Sequence, residues 1–87
     1  PQIHIVHEEV ITPWEAKGAV MRSLVEQSKG REVVLVDGVK VYHDGGWALL
    51  LPDPNEPVTH IWAEGESTAE ARALAQEYSR RIRQMQR

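Results

Sequence analysis

The sequence predicts an α+β two-layer sandwich in the element order β-α-β-β-β-β-α, an antiparallel sheet with two helices on one face. Three observations predict it. Two segments carry apolar residues at three- and four-residue spacing behind a capping signal, so each reads as a helix. Between them lie four consecutive β-rich segments separated by turn residues, which reads as a meander. Each helix has a single apolar stripe, so the two should pack side by side on the same layer of sheet.

The elements follow in order. From Ile3 to Val10, "IHIVHEEV", apolar and polar residues partly alternate, which predicts a strand. Thr12 then offers an N-cap, Pro13 the first helical residue and Glu15 the return bond of a capping box. Ala16, Val20, Met21, Leu24 and Val25 make the buried stripe, and Gly30 supplies a left-handed residue after the helix ends near Lys29. "REVVLVDGVKVYHDGGWALLL" is the strongest β signal. Asp37 and Gly38 favour a two-residue type I′ turn, and Asp44, Gly45 and Gly46 a second turn. Trp47 to Leu51 is apolar on both faces and belongs in the middle of the sheet. "VTHIWAE" is the last strand. Ser67 and Glu70 form a second capping box before a helix whose stripe is Ala71, Leu74, Ala75, Tyr78, Ile82 and Met85.

Length and charge exclude several functions. At 87 residues and 41% hydrophobic, the chain fits one small domain, residues 1–87, short for an enzyme with a deep pocket. It begins with Pro1, as a piece of a longer multidomain protein would. A net charge of -3 opposes a general grip on nucleic acid, which needs a basic face to displace counterions. Absent cysteine removes disulfides, thiolate zinc sites and cysteine nucleophiles, and fits a cytoplasmic setting. No run reaches the roughly 18 apolar residues of a membrane span, and no signal-peptide pattern opens the chain, so no membrane partner is expected.

No residue stands out as catalytic. Gly45 and Gly46 lie between strands and read as a turn rather than a phosphate cradle. His4, His7, His43 and His60 lack the helical i, i+4 spacing of a metalloprotease, and His4 and His7 should point to opposite faces of one strand, so no metal site is expected. Ser23, Ser28, Ser67 and Ser79 fall on or beside helices with no sign of a paired base. Arg80, Arg81, Arg83 and Arg87 suit the negative end of a helix dipole. Trp14, Trp47 and Trp62 read as core or interdomain anchors.

The segment "GWALLLP-DPNEP-VTHIWAE", followed by a capped helix, resembles the C-terminal domain of the phosphohexomutases, the phosphomannomutase and phosphoglucomutase family. With "PWEAKGAVMR" and "DGVKVYHDGG" it is most similar to the mutase-like C-terminal part of bacterial mannose-1-phosphate guanylyltransferase/phosphomannomutase fusion proteins. The resemblance implies a sandwich like that of the TATA-box-binding protein. It also implies partner domains in the parent chain, where a phosphoserine transfers phosphoryl and Mg2+ is bound, while no cofactor is expected in this domain. In that family the loop reads Arg-Pro-Ser-Gly-Thr-Glu-Pro and clamps a hexose phosphate, helped by an arginine in the next strand.

Carried over by position, the clamp is largely replaced. Leu51 stands for the loop arginine, Asp53 for the serine, Pro54 for the glycine, Asn55 for the threonine and His60 for the strand arginine, whereas Pro52, Glu56, Pro57 and the closing acid Glu64 match. Losing a forked arginine forfeits roughly 1.5–3 kcal/mol of charge-assisted bonding, Pro54 removes a backbone donor, and Asp53 adds a like charge against phosphate. The residues left to hold phosphate are Asn55, Glu56 and His60, with Lys40 within possible reach from a neighbouring strand. A structural or interdomain module is therefore expected, with weak hexose-phosphate binding. The alternative is a working substrate-phosphate domain with a divergent clamp, and a nucleic-acid module is disfavoured by the acidic strands.

Overall fold

A computed structural model describes residues 2–87. Strand β1 (His4–Ile11) is followed by a single 3-10 turn (Trp14–Ala16) and helix α1 (Lys17–Gln27). Strands β2 (Val33–Val34), β3 (Val39–His43), β4 (Gly46–Pro52) and β5 (Val58–Gly65) come next, and helix α2 (Thr68–Met85) closes the fold. The order is β-α-β-β-β-β-α, and the five strands form one antiparallel sheet ordered β1-β5-β4-β3-β2. The two-layer sandwich is as expected. Strand β4, apolar on both faces, is the central strand.

One sheet face carries the core. Val10, Ile61, Ala63, Ala48, Leu50, Val39 and Val41 meet Val20 and Leu24 of α1 and Ala75, Tyr78 and Ile82 of α2. Each fully buried large aliphatic side chain contributes on the order of 1.5–3 kcal/mol. Ser67 caps α2 by accepting a hydrogen bond from the Glu70 amide at 3.1 Å. Glu77 in turn accepts from Arg80 and Arg81, whose bonds lower its pKa, so part of the arginine cluster is tied down on the helix surface.

Several local expectations are corrected. Thr12 does not cap α1: it is fully buried, its amide donates to the Pro57 carbonyl at 2.7 Å, and its hydroxyl donates to the Val10 carbonyl at 3.1 Å and lies 2.8 Å from that of Thr59. The pull of the β1–β5 pair takes this side chain inward, and the helix enters through the 3-10 turn instead. Asp37 and Gly38 do not form a type I′ turn, which needs positive φ at both residues; only Asp37 has it, at 61°. The β2–β3 pair stops at Val34 and Lys40, leaving a wider loop in which Leu35 and Val36 are exposed. Gly38 is needed for closeness, because a Cβ there would stand 2.3 Å from the Leu50 carbonyl oxygen. Val25 is exposed, and the buried side of α1 runs through Lys17, Val20, Leu24 and Ser28. None of the three tryptophans joins the buried core; Trp14 and Trp62 are exposed.

Candidate functional site

The loop at residues 53–57 joins the two middle strands β4 and β5. Its ends are pinned by Asp53 N donating to Val58 O at 3.0 Å and Val58 N donating to Glu56 O at 2.8 Å. Inside it, Asp53 makes an Asx turn: Oδ1 accepts from the amides of Asn55 at 2.7 Å and Glu56 at 2.9 Å. Pro54, with its fixed φ and no N–H, occupies the tip without wasting a donor. The other carboxylate oxygen, Oδ2, lies 2.6 Å from His60 Nε2.

Asn55, Glu56 and His60 thus converge on one point, and that point is the Asp53 carboxylate. The bond from His60, followed by that from Asn55, holds the Asp53 carboxyl down at about 2, with burial opposing them. In this arrangement the loop carries its own anion. Leu51, at the position of the missing arginine, pairs directly with His60 across β4 and β5, so nothing basic faces His60 from that side.

Lys17 fixes the loop from behind. It is 9% exposed, and its ammonium donates to the carbonyl oxygens of Asp53 and, at 2.5 Å, of Glu56, while lying 3.6 Å from the centre of the Trp14 ring. Its positive charge is spent on main-chain carbonyls and a π-face, both of which favour it. Lys17 was legible only as a member of the spacing Lys17, Val20, Leu24, Ser28, a lysine on an otherwise buried side of α1. Lys40 instead lies over the rings of Trp47 at 4.5 Å and Tyr42 at 5.2 Å.

The face of the sheet away from the helices completes the site. Alternation along β1 places His7 and Glu9 there, and the β1–β5 register sets Glu9 opposite His60 and His7 opposite Trp62. His7 Nε2 lies 2.9 Å from His60 Nδ1, Glu9 Oε2 lies 3.6 Å from the same nitrogen, and the His7 ring stacks on Trp62 at 4.1 Å. His4 points to the other side and meets the Thr68 hydroxyl at 3.2 Å, as its odd separation from His7 requires. The gathering of His7, Glu9 and His60 was not legible in the spacing of histidines along one strand, because it depends on the register between two.

Comparison with known proteins places this loop and sheet in context. A protein named probable phosphoglucosamine mutase from Methanopyrus kandleri is 41% identical over 81 residues, a match covering 90% of this chain and 18% of that protein. A protein of the same name from Methanobrevibacter smithii is 29% identical over 80 residues, covering 85% of this chain and again 18% of the relative. The chain therefore spans less than a fifth of the length of these curated relatives. No family model matches it. Over most of its length the chain is thus similar to one part of two proteins of that name.

Proposed function

We propose that this chain is the last domain of a phosphohexomutase-like sugar-phosphate protein and serves there mainly as an interdomain module. The observation that carries the reading is the Asp53 carboxylate, which occupies the amides of Asn55 and Glu56 and the ring of His60 that would otherwise be free for a phosphate. Exposed apolar side chains suit the interdomain part: Ile5, Ile11 and Trp62 on the open sheet face, with Trp14 beside the loop. The relatives' name supports a hexosamine phosphate as the substrate class of the parent, and a cytoplasmic setting belongs to the same proposal. Other domains of the parent would supply the phosphoserine and Mg2+, chemistry that asks nothing of the residues here. A preceding mannose-1-phosphate guanylyltransferase-like domain is the finer proposal, tested by the parent sequence upstream of residue 1.

The reading is tested by titrating the 87-residue chain with glucosamine 6-phosphate, glucose 1-phosphate and mannose 1-phosphate while following amide resonances. Wild type is expected to show no saturable shift at Asn55, Glu56 or His60. Asp53→Ser, which removes the internal carboxylate and restores a hydroxyl, is expected to gain one. Saturable shifts in wild type at those residues would sink the module reading and favour a working phosphate clamp.

A further inference from the structure

We propose that His7, Glu9 and His60 form a binding site for a zinc-class divalent cation on the open face of the sheet. One ligand atom from each of the three side chains lies within 4.8 Å of the others. They sit on paired strands rather than on loops, with Glu9 two residues from His7 on the same face and His60 directly across from Glu9. Strand positions of this kind hold ligands in place before the ion arrives.

The surroundings of each ring fit ligation. Asp53, a carboxylate that can only accept, accepts a hydrogen bond from His60 Nε2–H at 2.6 Å, a tautomer that leaves the Nδ1 lone pair facing His7 and Glu9. A carboxylate on the far nitrogen of a ligating imidazole is the usual means of fixing its tautomer and raising its basicity. His7 is held by its stack on Trp62, 4.1 Å between centroids and 18° from parallel, with Nε2 turned toward His60. In the absence of an ion, His7 Nε2–H donates to His60 Nδ1 at 2.9 Å. An ion replaces that proton, which moves to Nδ1 of His7 with no net change in charge on either ring.

The two ring nitrogens are already close to what an ion needs, and the exposed Glu9 carboxylate has to turn in to join them. At metal–nitrogen distances of about 2.0–2.1 Å, two tetrahedral ligands stand about 3.3 Å apart, so the rings must part by only a few tenths of an ångström. Two imidazoles and one carboxylate leave a fourth position to water, the donor set of an open zinc site. Imidazole selects Zn2+, Ni2+, Co2+ or Cu2+ over Mg2+, which prefers oxygen and keeps its waters. This site is separate in chemistry from the Mg2+ expected elsewhere in the parent.

The test is calorimetric titration of the 87-residue chain with Zn2+ and with Mg2+, together with Co2+ absorption and histidine ring 15N shifts. Expected are 1:1 Zn2+ binding, no Mg2+ heat, and shifts at His60 Nδ1 and His7 Nε2 but not at His4 or His43. His7→Ala should abolish binding, and Asp53→Asn should weaken it about 10–100-fold while leaving the same ring nitrogens shifted. Because His7 is exposed, its replacement leaves the core in place, which far-ultraviolet dichroism checks. Absence of Zn2+ heat in wild type, binding undiminished in His7→Ala, or shifts centred on His4 or His43 would overturn the proposal.

Discussion

His60 Nε2 and Asp53 Oδ2 stand 2.6 Å apart, joining the third residue of β5 to the residue that opens the preceding loop. The loop anion and the sheet face are coupled through this one contact.

Acid should undo it. The Asp53 carboxyl sits at about 2 in the fold against an ordinary 3.8, so the unfolded chain takes up the proton first. Its contribution to stability is full above the ordinary value and lost as pH falls through about 2. Urea unfolding of wild type and Asp53→Asn from about pH 5 to about pH 2 should show the wild-type advantage shrinking steadily over that window. A constant difference would refute the assignment.

Lys17→Met keeps the length and apolar stem but leaves the Asp53 and Glu56 carbonyls without their donor. The cost should be on the order of 2 kcal/mol, from charge-assisted bonds to carbonyl oxygens. Hydrogen exchange should rise first at Asn55, Glu56 and Val58, whose amides depend on the loop shape.

Thr12 and Thr59 form a buried hydroxyl pair, both fully excluded from solvent. Thr12→Val strands the Thr59 hydroxyl and should cost about 1–2 kcal/mol, whereas Thr59→Val leaves the Thr12 hydroxyl its bond to the Val10 carbonyl and should cost less. The double variant should cost less than the sum of the two, because both partners then leave together. Simple additivity in a denaturant cycle would mean that the pair is not coupled.

His43 should report at milder pH. Its Nε2 lies 2.7 Å from the hydroxyl of buried Tyr78, and burial, then the charges of Arg31 and Arg81, lower its pKa from 6.5. Protonation therefore favours the unfolded chain: stability is full above the ordinary value and falls as pH drops below it toward the lowered one. Thermal unfolding of wild type should lose ground to His43→Gln below about pH 6.5. A parallel pH dependence would count against burial of the neutral ring.

Much of this architecture was legible in the chain itself. The spacing of Ala71, Leu74, Ala75, Tyr78 and Ile82 identified α2 and its buried side, because a helix stripe is a local property of 3.6-residue periodicity. The double-sided apolar run from Trp47 to Leu51 identified the central strand for the same kind of reason. The cap at Thr12 was misleading. Its local signal for a helix start competes with a tertiary pull into the β1–β5 pair, and burial of the hydroxyl against Thr59 wins.

The sequence by itself determined the element order, the two-layer packing and the loop that holds Asp53, Asn55 and Glu56, with His60 in the strand after it. Only the tertiary structure decided what that loop holds. Asp53, read along the chain, is a charge that repels phosphate; in the fold it is the acceptor on which two amides and His60 close. The same is true of Lys17, brought to the loop by the packing of α1, and of His7 and Glu9, brought to His60 by strand register. Periodicity acts within a segment, whereas charge placement depends on which segments meet, and that is set by the packing of the whole core.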